Sequence, residues 1–263
     1  MDTILSLAKA FSGYKIYPKE KFTSGTPVAV FQHLYPSNYF TRDVKAMLNH
    51  QNYPSIKKGA DLPWWGENVF NEQWKGQRIM LIAQDSNASD AGSVVMYSPL
   101  YTEITNYSEV AYNRYIDLLE TKDLFKYHSW KRALLQIKSW GLDLKSIYFT
   151  DAKKVYKDRI PGKKDTFDNY QSAKLLEKEI EIVKPDYIIT LGKQAFDLLG
   201  KTTFFKDNRT YGEAVECGEV IPLTHGKLIV SPFITGQCHT STNFQKRIKI
   251  ATELIQKEIS NEE

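Results

Sequence analysis

Four short apolar runs in this sequence end in residues able to do chemistry. Arg78-Ile79-Met80-Leu81-Ile82-Ala83 leads into Gln84-Asp85-Ser86-Asn87, and Ser146-Ile147-Tyr148-Phe149 leads into Thr150-Asp151. Tyr187-Ile188-Ile189-Thr190-Leu191 ends at Gly192, and Leu228-Ile229-Val230-Ser231 precedes the polar loop Thr235–Asn243. An ionised Asp accepts hydrogen bonds and donates none, so Asp151 suits recognition of a donor group. In an open parallel sheet, ligands bind outside the carboxyl ends of the strands, where side chains from separate loops converge. Asp85, Asp151, Gly192 and the Thr235–Asn243 loop therefore mark a candidate site. The same residues also suit helix caps and turns, and topology alone leaves both readings open.

Charge adds a second pointer. The chain carries a formal net charge of +4, but residues 121–164 hold 12 basic and four acidic side chains, a local excess of +8. Within it, Lys153-Lys154-Val155-Tyr156-Lys157-Asp158-Arg159 and Lys163-Lys164 follow the second strand end directly. A basic loop with an interleaved aromatic beside a cleft suits a phosphodiester backbone. A solvated Lys-rich loop fits the same charge run.

Strands with unbroken apolar character, separated by helical stretches, argue for a parallel sheet covered on both faces. Helical spacing falls over Glu109–Leu119, His128–Trp140, Tyr170–Val183, Lys193–Gly200 and about Phe244–Ile259, with Lys184-Pro185-Asp186 stopping the third of these. The expected fold is α/β, a three-layer α/β/α sandwich around a central, mainly parallel four-stranded sheet. Residues 1–263 read as one domain. Its core spans 76–260, and 1–75, with Pro63-Trp64-Trp65-Gly66, form an extension of helices and loops packed on it. With 42% hydrophobic and 13% aromatic residues the chain can bury a real core, which argues against disorder or a fibrous fold. No apolar run reaches a membrane span of roughly 18 residues, and Met1-Asp2-Thr3 lacks the basic start of a signal peptide. An intracellular, cytoplasmic location is expected, nucleoid-associated if the source is prokaryotic. Cys217 and Cys238 are the only cysteines, too few for a disulfide scaffold or a four-cysteine cluster.

Four segments, in order and spacing, resemble the uracil-DNA glycosylase superfamily over roughly residues 75–260. Leu175–Gly200 is similar to the helix, Pro, strand, Leu-Gly, helix segment of its iron–sulfur and related branches. Ile79–Asn87 stands where the family has its first motif, and Ser146–Lys154 resembles the middle strand that typically ends Thr-Asn-Ala-Val-Lys. Leu228–Phe244 takes the place of the His-Pro-Ser motif. The resemblance implies a domain that flips a nucleotide out of DNA and hydrolyses its N-glycosidic bond.

Carried over residue by residue, it implies that Asp85 orients water and offsets positive charge on the sugar. His239 is the donor that assists the departing base. An alternative alignment puts Phe233 at that position and Thr235-Gly236 at Ser-Gly. Gln84, Asn87 and Asp151 would contact the base, and Tyr97, with Tyr101 as second candidate, would stack on it. Lys153, Lys154, Lys157, Arg159, Lys193, Thr235, Gly236, Gln237 and Ser241 are the expected DNA contacts. The loop has no Leu wedge, and His33 and His50 suit structural roles.

Two departures from the family bear on the base. Uracil-specific members end the middle strand with Asn. Here Asp151 favours the N4 amino edge of a cytosine. Asn87 stands where one branch has a Tyr that closes the space beside C5. Together they suggest a 5-substituted cytosine, hydroxymethylated or glycosylated as in modified viral DNA. No cofactor and no metal are expected. DNA is the expected partner of a monomer with no membrane and no obligate protein partner. A repair uracil glycosylase, a non-catalytic sensor of modified or damaged DNA, and an enzyme of free nucleotides are the rivals.

Overall fold

A computed structural model describes residues 3–12, 14, 60–66, 68–85, 128–155, 167–234 and 241–259. Its strands are β1 (Trp64–Trp65), β2 (Ile79–Asp85), β3 (Ile147–Lys153), β4 (Tyr187–Leu191), β5 (Ile221–Pro222) and β6 (Lys227–Ser231). They form one six-stranded sheet in the order β1-β3-β2-β4-β6-β5. The four expected strands are its parallel centre, with β2 between β3 and β4, and β4 beside β6. The expectation of four strands is thus corrected to six, because β1 and β5 add short antiparallel edges.

Two-residue strands are too short to carry an alternating pattern, so the sequence does not announce them. Trp64 and Trp65 belong to the sheet and not to a layer packed on it. Trp65 stacks on Tyr148 with ring centroids 6.2 Å apart, which covers the edge with aromatic surface. The four central strands are apolar because both faces are covered. Met80, Leu81, Ile82, Ile147, Ile188, Ile189, Leu228 and Ile229 are all fully buried.

The helices are α1 (Thr3–Phe11), α2 (His128–Ser139), α3 (Asn169–Val183), α4 (Lys193–Leu199), α5 (Tyr211–Glu216) and α6 (Thr242–Glu258). The chain leaves β2 for β3 on one side, then crosses back through α3 to β4 on the other. Right-handed crossovers therefore put α2 on one face and α3 and α4 on the opposite one. Trp140, just past α2, donates its indole N–H to Thr252 Oγ1 of α6 at 3.0 Å, which ties those two helices together. On the other face, Tyr14 after α1 donates to Gln171 Oε1 of α3 at 3.1 Å. Asp168 caps α3 by accepting from the Gln171 N–H at 3.0 Å. No described helix is long and apolar enough to cross a membrane. The expected helix Glu109–Leu119 lies outside the described residues.

Candidate functional site

Because β2 is followed by β3 on one side and β4 on the other, the sheet reverses its direction of growth between β2 and β4. The crevice beyond the carboxyl ends at such a reversal is where α/β sheets bind ligands. Three strand ends meet there. Gly192, between β4 and α4, has φ 94° and its N–H donates to Ser231 O of β6 at 2.9 Å. A Cβ on it would sit 2.8 Å from Phe233 Cβ and 3.1 Å from Gln84 Cδ. Only a glycine lets the ends of β2, β4 and β6 approach this closely. Gln84 Oε1 also accepts weakly from the Gln194 N–H at 3.5 Å.

The two acidic positions lie side by side in the sheet. Ala83 pairs in register with Asp151, and Asp85 with Lys153, so Asp85 stands two residues further along the strand adjacent to Asp151. Strand spacing and rise put their Cα atoms about 8 Å apart. The sequence suggests that Asp151 follows its strand, and the structure corrects this. β3 continues through Thr150-Asp151-Ala152-Lys153, and Asp151 is 4% exposed. Tyr148 and Thr150 point to α3, so Asp151, one pleat out of phase, faces the opposite side.

Lys154 requires a second correction. It is 0% exposed, so its ammonium is not presented to a nucleic-acid backbone. Instead Nζ pairs with Glu179 Oε2 of α3 and donates to Thr150 Oγ1 at 2.6 Å. Glu179 Oε1 accepts from Tyr148 Oη at 2.8 Å and from Thr150 Oγ1 at 2.9 Å. A cation leaves water only when its charge is met in this way. Ser172 Oγ accepts from the backbone N–H groups of Lys154 and Val155 at 3.3 and 3.0 Å.

The other expected contacts divide cleanly. Lys153 is partly exposed at the end of β3. Lys193 is exposed and pairs with Asp197 one turn on. Ser241 is exposed and caps α6, accepting from the Phe244 N–H at 3.2 Å. Asn87, Tyr97, Tyr101, Lys157, Arg159, Thr235, Gly236, Gln237 and His239 lie outside the described residues. Val155 and Asp168, which flank residues 156–166, are joined by an Asp168 N–H to Val155 O bond of 2.7 Å.

Gly192 was legible as a strand end; its contact with Phe233 was not, because no local pattern links residues 41 apart in sequence. Glu179 and Ser172 carry no sequence signal beyond lying on an amphipathic helix. A separate concavity of about 1090 Å³ opens at the amino ends of β4 and β6, lined by Lys184, Asp186, Phe204, His225 and Lys227 among others. It lies at the opposite end of the sheet from Gln84, Asp85 and Asp151.

The fold is that of an α/β protein whose mostly parallel sheet reverses its strand order between β2 and β4. No protein-family model matches the chain, and no curated protein matches it in sequence.

Proposed function

We propose that the protein is a monofunctional DNA glycosylase, with a three-layer domain of the uracil-DNA glycosylase kind, that releases a 5-substituted cytosine. The observation that carries this reading is the placement of Asp85 and Asp151 near the carboxyl ends of neighbouring parallel strands, with Ala83 paired to Asp151 and Asp85 to Lys153, beside the strand-order reversal between β2 and β4. Asp85 orients water toward C1′ and offsets the positive charge that grows on the sugar. The C1′–N1 bond breaks with its electron pair going to the base. Water supplies oxygen to C1′, and its proton leaves with the base or passes to solvent. His239 donates to the departing base. Asp151 accepts from the N4 amino group, and Asn87 takes the C5 substituent. Lys153 and the basic segment after it meet the phosphates. No step calls for a metal or cofactor.

The deciding experiment is mass spectrometry of bases released from DNA containing uracil, cytosine, 5-hydroxymethylcytosine or glucosylated cytosine. Release of a 5-substituted cytosine, lost in Asp85→Ala while DNA binding is retained, is the expected result. Ready release of uracil with the modified cytosines left intact would transfer the reading to a repair uracil glycosylase. No release from any panel, with modified DNA still bound, would make the protein a sensor.

A further inference from the structure

The buried Lys154–Glu179 pair sits where the site needs its frame to be most exact. The last rung between β2 and β3 joins Asp85 to Lys153, and Lys154 is the next residue. At that point β3 leaves the sheet and is fastened from two directions. From α3 come Glu179, met by the Lys154 ammonium, and Ser172, which accepts from two successive backbone N–H groups. From the other edge, Asp61 N–H donates to Lys154 O at 3.2 Å, and Ala60 bridges Val155. Thr150, adjacent to Asp151, shares the same carboxylate. The charged pair thus ties Thr150, just before Asp151, to Lys154, three residues after it.

Hydrophobic packing alone would leave this stretch free to slide or fray, because apolar contacts are non-directional. A charge-assisted network fixes position as well as burial. Replacing a buried ion pair by neutral groups of similar volume is often neutral for stability, so stability alone does not account for keeping it.

We infer that Lys154 and Glu179 are positioning residues, which hold the final rung of β3 so that Asp85 and Asp151 keep a fixed separation. This rests on the glycosylase reading for its catalytic consequence, and on the contacts alone for the fastening. Lys154 touches no substrate. It acts through Thr150 and the backbone of Lys153–Val155.

The test is the charge-free double variant Lys154→Met with Glu179→Gln. Its Gln carbonyl remains an acceptor for Tyr148 and Thr150. Lys154→Arg serves as the conservative control. The expected result is a melting temperature within a few degrees of wild type, with kcat for base release down about 100-fold, the scale of a misplacement near 1 Å. KM and DNA affinity stay close to wild type, and Lys154→Arg recovers part of the loss. Hydrogen exchange gives a readout independent of activity: the amides of Asp151–Val155 exchange at least about tenfold faster in the double variant, while β4 keeps its protection. Unchanged kcat in the folded double variant, or unchanged exchange at Asp151–Val155, would overturn the proposal. If the wild type releases no base, the glycosylase reading fails, and exchange alone decides whether the pair fastens the strand.

Discussion

At Gly192 a single missing Cβ lets three strand ends touch. The backbone there has φ 94°, a region L side chains enter at a cost of roughly 1–3 kcal/mol. The nearest obstacle to a Cβ, 2.8 Å away, is Phe233 Cβ, close to its main chain and unable to swing aside. Gly192→Ala is therefore expected to lower unfolding free energy by about 2–4 kcal/mol, strain and overpacking together, as measured by urea denaturation. Gly200→Ala is the contrast, since its Cβ would meet nothing closer than 3.4 Å and its φ is helical. A loss of stability there equal to that at Gly192 would contradict the steric account. Asp151 makes the chemical prediction at the same scale. Asp151→Asn restores a side chain that both donates and accepts, so base release should shift toward uracil. An unchanged preference in the mass-spectrometric panel would remove Asp151 from base reading.

Between elements, the most telling contact joins α3 to the turn after α4. Glu177 accepts from the Thr203 hydroxyl at 2.6 Å and from the Thr203 backbone N–H at 2.9 Å, with the Lys174 ammonium at 3.0 Å. The Thr203 hydroxyl is the largest influence, and against the opposing effect of burial these bonds lower the carboxyl from its ordinary 4.5 to about 2. The folded pKa is depressed, so the stabilisation is fully present above pH 4.5 and is lost as pH falls toward about 2. Its size at neutral pH is about 3 kcal/mol. Denaturant melts between neutrality and pH 2 should lose that amount from Glu177, in addition to what the lowered carboxyls of Asp207, Glu213 and Glu216 lose. Glu177→Gln should flatten this part of the curve, and an identical acid slope would show that Glu177 is not its source.

Elements also show what the sequence made legible. β4 reads directly from Tyr187–Leu191 because both its faces are buried and nothing interrupts the apolar run. Of β3 the apolar run covers only Ile147–Phe149, three of seven residues, because most of the rest is polar by necessity: Thr150 serves Glu179 and Asp151 faces the other layer. Lys154 reads as a surface cation because its partner lies 25 residues away on a helix, and no local pattern announces a long-range pair. The reversal of strand order between β2 and β4 comes from the pairing register, which the sequence only suggests.

Over the whole molecule, the question is which cations face a polyanion. The +8 segment looks uniform in sequence, yet the fold divides it, turning Lys154 inward and leaving Lys153 partly exposed beside Asp85. On the DNA reading, each phosphate neutralised contributes about −0.9 to the slope of log K against log salt. Lys153→Ala should reduce the magnitude of that slope by about 0.9. The Lys154→Met, Glu179→Gln double variant should leave it unchanged, although it removes a lysine from the same run. Binding of a fluorescent duplex, followed by anisotropy across a series of salt concentrations, reads both slopes. Equal slope changes would mean that Lys154 reaches the backbone after all. A flat salt dependence in the wild type would remove nucleic acid as the partner and favour a ligand of free-nucleotide size in the same crevice.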